Sequence, residues 1–180
     1  MKNQKNENKA KILDIVYHPN KILREISKEV SIEEIKKPEF QEWLKSLKLT
    51  MLKKDGAGLA APQVGKNIRV FVINDEKNNI ILINPKITKK SWAKDLDNEG
   101  CLSVVNKKGE LVYAPVLRHK KINCTYLNEK GEEKKIKVEK FLARVIQHEN
   151  DHLNGVLFID HLSSPLPDLP DEIDNTENQQ

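Results

Sequence analysis

A chain of 180 residues with 38% hydrophobic content is long enough for one domain with a modest core and too short for two well-filled ones. Lys and Arg total 31 against 27 Asp and Glu, a formal net charge of +4, and the lysines are dispersed instead of forming one basic block, which argues against sequence-specific nucleic-acid binding. Met1 to Ala10 holds neither an apolar stretch nor a small-residue cleavage site, and no later apolar run approaches a membrane span, so a cytoplasmic protein without membrane contact is expected.

Residues 1–10 read as a polar N-terminal tail, 11–162 as a single domain, and 163–180 as a Pro-rich, then acidic tail expected to be disordered. Ile12 to Val30 reads as an extended lead-in and a brief helical turn opened by Pro19 and Asn20, and His18 is expected to take no catalytic part. Pro38 stands where a helix can begin, and Phe40, Trp43, Leu44, Leu47, Met51 and Leu52 recur at steps of three and four, predicting an amphipathic helix. Lys53 and Lys54 put positive charge in its last turn, and Gly56 follows in the place of a left-handed cap.

Gly56 to Gly65, GAGLAAPQVG, is rich in small residues that let other groups approach the backbone. Its G-x-G lacks the third glycine and the preceding strand of a dinucleotide site. Composition alone fits a tight helix-to-strand loop equally well, but Gln63 adds an amide able to donate to a reacting oxygen. Five β-branched runs then predict strands at Ile68 to Asn74, Asn79 to Asn84, Gly109 to Tyr113, Lys121 to Leu127 and Lys134 to Val138. Asn128 to Gly131 is the expected hairpin turn between the last two.

The stretch Phe141 to Asn154 carries His148, Glu149 and His152 in the order H-E-x-x-H. Four residues of helix turn about 40° past a full circle and rise about 6 Å, so both imidazoles leave one face at a spacing that suits one metal ion. Glu149 lies on the edge of that face, placed to hydrogen-bond a water and serve as general base. Phe141, Leu142, Val145, Ile146 and Leu153 are expected to seat the helix in the core, with Gly155 at its C-terminal cap. For a third ligand, the histidine of the extended zincin pattern is replaced by Phe158, and Glu172 stands in a proline-broken stretch unfit for a helix. Cys101, in Glu99-Gly100-Cys101-Leu102-Ser103, is the favoured third ligand, with His119 and His161 as competitors. A Cys and two His with a fourth position open is the pattern of a catalytic site. Cys124, in the alternating KINCTYL, reads as core. Gln147 and Asp151 fit surface residues and orienters of the site equally well. The order of elements predicts an α+β fold, with antiparallel sheets packed around a central metal-binding helix and an N-terminal amphipathic helix.

Three blocks in one order, GAGLAAPQVG at Gly56 to Gly65, EGCLS at Glu99 to Ser103 and QHENDHLNG at Gln147 to Gly155, make the chain resemble peptide deformylase in its shorter bacterial-type form. A weaker likeness runs from about Ile12 to His161. The resemblance implies a metal-dependent hydrolase that removes the N-formyl group from the N-terminal formyl-methionine of newly synthesised polypeptides and releases formate. It implies Cys101, His148 and His152 as ligands of one divalent ion, Glu149 as proton carrier, and the Gln63 amide with the Leu102 backbone N–H as donors to the developing oxyanion. It implies backbone contacts to the peptide from Ala57 and Gly58, and a methionine pocket drawing on Phe141, Arg144 and Val145 with Glu99 near its rim. Ferrous iron is the ion implied, with zinc, nickel or cobalt able to occupy the site, and N-formylmethionyl nascent peptides are the partners implied. This chain departs from the family at Val105, where proline is common, at Lys108, near which many members carry arginine, and in a longer loop from Glu110 to Leu117. Many relatives end in a basic helix credited with docking to the ribosome; Ser163 to Gln180 holds no such helix, so ribosome contact finds no support in the tail.

Overall fold

The computed structural model of the protein describes residues 10–75 and 78–170. Three α-helices, α1 (Ile32–Ile35), α2 (Pro38–Lys53) and α3 (Lys140–His152), accompany seven strands. The strands are β1 (Gly58–Ala60), β2 (Val70–Asp75), β3 (Asn78–Lys90), β4 (Lys94–Val105), β5 (Leu111–His119), β6 (Lys121–Leu127) and β7 (Glu133–Glu139). Five of them form an antiparallel sheet in the order β1-β2-β3-β6-β7, and β4 and β5 form a separate two-stranded ribbon.

Side chains alternate across a strand, and β2 shows what that does here. Val70 and Val72 face a core made by Phe40, Leu44, Leu47 and Met51 of α2, whereas Phe71 and Ile73 face one made with Ala143, Val145 and Ile146 of α3. The sheet is therefore covered on both faces near β2, which explains its unbroken apolar run VFVI. A third core lies under the ribbon, where Cys101, Val104, Ala114 and Val116 meet Leu23, Leu157 and Phe158. Asn128 accepts from Gly131 N at 2.9 Å and turns β6 into β7, as the Asn and Gly positions predict.

Several elements differ from the sequence reading, each for a physical reason. At the end of α2 the left-handed residue is Asp55 (φ 51), with Gly56 N donating back to Met51 O at 3.0 Å. β3 does not stop at Asn84 but continues through Pro85 to Lys90, because a register shift between Ile83 and Lys86 absorbs the proline. β1 is three residues of the small-residue loop drawn out against β2. β4 escapes the period-two pattern because residues 94–98 are all exposed. The expected loop from Glu110 to Leu117 is mostly β5, paired with β4 from Lys94↔His119 to Gly100↔Tyr113. Phe141 is 61% exposed, not in the core, because it sits in the first turn of α3 at the mouth of a cavity. The first part of the predicted tail packs: Leu166 and Leu169 cover the third core, and Lys107 N donates to Asp168 O at 2.9 Å. Residues 1–9 of the N-terminal tail and 171–180 of the C-terminal one, including Glu172, lie outside the described residues.

The end of α3 sets how the metal-candidate helix meets the N-terminal segment. Val156 N donates to Asp151 O at 3.0 Å, Gly155 takes φ +72, and a β-carbon there would lie 2.7 Å from the carbonyl carbon of Arg24. Gly155→Ala therefore combines left-handed strain with a backbone collision, and a loss of about 2 kcal/mol or more in urea or thermal unfolding is expected.

Candidate functional site

One turn of α3 brings His148 and His152 to the same face, with ring centroids 5.1 Å apart. Cys101 reaches them from β4, its Sγ lying 3.2 Å from His152 Nε2. One donor atom from each of the three falls within 4.8 Å of the others. The donor chemistry suits a transition-metal ion: one sulfur and two imidazole nitrogens, all buried. A polar atom beside them, Glu149 Oε2, is buried without a hydrogen-bond partner among the described residues, as a site shaped for a charged guest leaves it. His119, whose Nδ1 lies 2.6 Å from Ser91 O, and His161, whose Nε2 lies 2.7 Å from Asp151 Oδ2, stand outside this group.

Glu149, next along the helix, is 3% exposed, and burial pushes its carboxyl up to about 7. A carboxyl with that affinity takes and releases a proton near neutral pH. It leans against Gly58 of β1: a β-carbon on Gly58 would lie 2.7 Å from Glu149 Cγ and 2.8 Å from Cδ. Only glycine leaves that carboxylate its place. Ala57 precedes it, and its carbonyl accepts from Asn74 N at 2.8 Å.

Gln63 sits in a short 3-10 turn, Ala61–Val64, and is 2% exposed. Its Oε1 accepts from Ala60 N at 2.8 Å, which turns Nε2 toward Ser103 Oγ at 3.2 Å and Cys101 Sγ at 3.4 Å. The amide donor is thus aimed at the thiol-imidazole group before any substrate arrives. Leu102 lines the same cavity beside Cys101.

Glu99 joins the ribbon to α3. Its Oε1 accepts from Arg118 Nε at 2.9 Å and Arg144 Nη1 at 2.8 Å, and its Oε2 from Arg118 Nη2 at 2.9 Å and His148 Nδ1 at 2.9 Å. Burial opposes the charge, but the hydrogen bonds from His148 and Arg118 hold the carboxyl far below the usual range. The bond also commits His148 Nδ1 and leaves Nε2 for the donor group. Arg118 is held by Asp151, which also meets His161. Gln147 is a clamp: its amide bonds His119 O at 2.9 Å, Ala143 O at 2.8 Å and His119 N at 3.1 Å, tying α3 to β5. Both residues therefore serve positioning, not the solvated surface. Cys124 is buried in the second core, and burial pushes its thiol up to about 11.

A cavity of about 500 Å³ opens over these groups. Ala57, Gly58, Gln63, Glu99, Cys101, Leu102, Phe141, Arg144, Val145, His148 and Glu149 all line it, and His152 lies behind Cys101. The Arg144 guanidinium is spent on Val116 O at 2.8 Å and Asp95 O at 2.9 Å, besides Glu99, so its stem is what borders the cavity. Leu111 and Tyr113 of β5 also line it, and Arg118 anchors Glu99. Sequence reasoning pointed to the stretch from Glu110 to Leu117 at the cleft rim without naming Leu111 or Tyr113, and missed Arg118, although the outward Leu111 and Tyr113 break the polar-out rule of a solvated strand, and Arg118 is one of only four arginines.

Residues 12–167 match the family described as polypeptide deformylase. A peptide deformylase of Fusobacterium nucleatum is 44% identical over 144 residues, covering 79% of each chain. One of Synechocystis is 39% identical over 159 residues, 86% of this chain and 81% of its own. Among solved structures, a Synechococcus elongatus peptide deformylase in complex with actinonin superposes with a TM-score of 0.77 at 39% identity, over 84% of this chain and 79% of that one. An Acinetobacter baumannii class I type b peptide deformylase with Met-Ala-Ser bound gives 0.78 at 31% identity, over 85% of this chain and 99% of that one. With this match spanning the whole described core and every block of the site, the chain belongs to the polypeptide deformylase family, the enzymes that remove the N-formyl group from newly synthesised polypeptides.

Proposed function

We propose that this protein hydrolyses the formyl group of N-formylmethionyl nascent peptides in the cytoplasm, with Cys101, His148 and His152 holding one divalent ion and Glu149 moving the proton. The observation that carries the reading is the convergence of one thiol and two imidazoles within 4.8 Å, beside the buried Glu149 carboxylate, whose Oε2 has no hydrogen-bond partner among the described residues. A divalent ion in that set supplies Lewis acidity, which polarises the formyl carbonyl and brings a water's pKa down to about 7.

The chain's own residues do the rest. Glu149 takes a proton from the attacking water and returns it to the amine as the carbon–nitrogen bond breaks, leaving formate and a free methionyl terminus. The Gln63 Nε2–H and the Leu102 backbone N–H donate to the carbonyl oxygen as charge gathers on it. Ala57 and Gly58 offer backbone groups at the edge strand β1 to an extended peptide. Phe141, Val145 and the stem of Arg144 border the space for the methionine side chain. Glu99, its carboxylate spent on Arg118, Arg144 and His148, orients the histidine and borders the same space. The Met-Ala-Ser complex of the A. baumannii enzyme supports a methionyl peptide as occupant. No helix among the described residues is long and apolar enough to cross a membrane.

The direct test is formate release from a formyl-methionyl peptide, with backbone cleavage of an unformylated peptide followed in parallel; formate alone is expected. Glu149→Ala is expected to keep its metal and lose about 10²- to 10⁴-fold in turnover. A variant retaining a tenth of the rate sinks the proton-carrier role. Cys101→Ala is expected to lose most bound metal, whereas Cys124→Ala retains metal and activity; equal effects refute the ligand assignment. The donor set accepts iron, zinc, cobalt or nickel, and the family resemblance favours ferrous iron as the native ion. Apoprotein reloaded with single ions is expected to be most active with iron under anaerobic conditions, to decay in air, and to give durable activity with nickel or cobalt. A zinc form equal in rate, with an air-stable iron form, makes zinc the working ion.

A further inference from the structure

Lysines dispersed along the chain gather on one face of the five-stranded sheet once its strands pair. Register sets Lys86 of β3 beside Thr125 of β6 and Lys135 of β7, and the next row sets Lys89 beside Asn123 and Lys137. The alternate residues Ile87, Cys124 and Ile136 point the other way, into the second core, so the lysine face is turned to solvent. Strands lie about 4.8 Å apart and alternate residues about 7 Å along each, which roots four lysines at the corners of an area about 10 Å by 7 Å. Two glutamates border it: Glu139, 2.7 Å from Lys121, and Glu133, 4.0 Å from Lys135. Lys86, Lys89 and Lys137 form no ion pair among the described residues.

Beyond Lys89 the strand ends in a turn that holds one aromatic ring wholly in water. Trp92 is 101% exposed, yet the backbone on both sides of it is pinned: Ser91 N donates to Lys121 O at 2.9 Å, Lys120 N to Ala93 O at 2.9 Å, and Ser91 Oγ to Ala93 O at 2.7 Å. A single exposed apolar side chain is ordinary on a protein surface. Trp92 differs in its setting, on a fixed turn three residues from Lys89 and with Lys90 and Lys94 two residues to either side. Ammonium groups for phosphates beside a ring on which a base can stack make the platform that single strands occupy. We propose that this sheet face and Trp92 bind single-stranded nucleic acid without sequence preference, the lysines taking successive phosphates and Trp92 one unpaired base. The amide of Asn123 and the hydroxyl of Thr125 stand between the lysines, where they can donate to the same backbone. An acyl layer is a poorer occupant, because Trp92 is the only exposed large hydrophobic side chain on β3, β6, β7 and the turn among the described residues. None of these residues lines the cavity over Cys101 and Glu149, so the proposal stands apart from the chemistry there.

The test is fluorescence anisotropy of a labelled oligouridylate of about ten nucleotides titrated with the whole protein, beside oligothymidylate and a duplex of equal length, with co-sedimentation on phosphatidylglycerol vesicles in parallel. Wild type is expected to bind both single strands with Kd on the order of 10⁻⁵ M at low salt. Neutralisation of about three phosphates by Lys86, Lys89 and Lys137 gives a slope of log K against log salt of about −2, roughly a twentyfold loss between about 50 and 200 mM. Lys86→Gln, Lys89→Gln and Lys137→Gln are each expected to reduce that slope by about 0.7, and the three together to abolish binding at the higher salt. Trp92→Ala is expected to weaken binding about fivefold or more with the slope unchanged, and Trp92→Phe to retain most of the affinity. The same charge change on exposed residues of other elements, Lys21→Gln with Lys28→Gln and Lys53→Gln, is expected to leave affinity and slope as they were. Absence of wild-type binding at low salt, equal loss in this control, tighter binding of the duplex, or attachment to the vesicles with the oligonucleotides unbound overturns the proposal. Formate release is expected to be unaltered in every variant, so failure of the titration and failure of the deformylase reading are separate results.

Discussion

A single buried carboxylate, Glu99, holds the two halves of the site together. It sits on β4 and accepts from Arg118 on β5 and from Arg144 and His148 on α3, so all four lone-pair directions are used. Two guanidiniums and a carboxylate taken out of water are tolerable only when each finds such partners; removal of the acid leaves buried cations uncompensated, a change that costs about 3 to 5 kcal/mol. The same arrangement does chemical work. It fixes which imidazole nitrogen of His148 faces the thiol, and through Arg118 it extends to Asp151 and His161, so the ring is backed by charges well away from the reacting atoms.

Around that link, the fold solves a problem of approach. Cys101 comes from a two-stranded ribbon, His148 and His152 from a helix, and Gln63 from a turn at the edge of the five-stranded sheet. These come within reach because α3 packs on the face of β2 opposite α2, and β1 runs past α3 with glycine at the crossing. Where Gly58 meets Glu149 a side chain has no room, so the carboxylate is pressed into a dry position and its proton affinity rises toward neutrality. Packing thus raises the proton affinity of the carboxyl proposed as proton carrier.

The ribbon divides its labour by strand periodicity. Inward positions carry the thiol and the third core; outward positions carry Leu111, Tyr113 and their apolar neighbours. A one-residue slip of β4 against β5 would exchange these faces, exposing Cys101 and burying polar Asn98. Gln147 and Arg144, which bond backbone carbonyls of β5 from α3, oppose such a slip.

The sequence by itself determined the elements whose signal is local. The α2 stripe, the hairpin at Asn128 to Gly131, and the H-E-x-x-H register depend on spacing along one helix or one turn, and they stand where the spacing places them, except that Leu52, at the end of the stripe, is exposed. Cys101 was legible because few residue types complete a site of two histidines. What depends on partners distant in the chain was not legible. β4 lacks alternation because residues 94–98 are all exposed, and β5 carries apolar Leu111 and Tyr113 outward where they wall the cavity; the strand through Pro85 needs a register shift set by β6; and Phe141 looks like a core residue until the cavity over it is known. Glu99 was readable as a rim residue and turned out to be a hub, since only the approach of β5 and α3 brings Arg118, Arg144 and His148 to its oxygens. Spacing decides which side chains share an element, but hydrogen bonds and burial between elements decide which atom of each faces the chemistry, and those are properties of the folded chain alone.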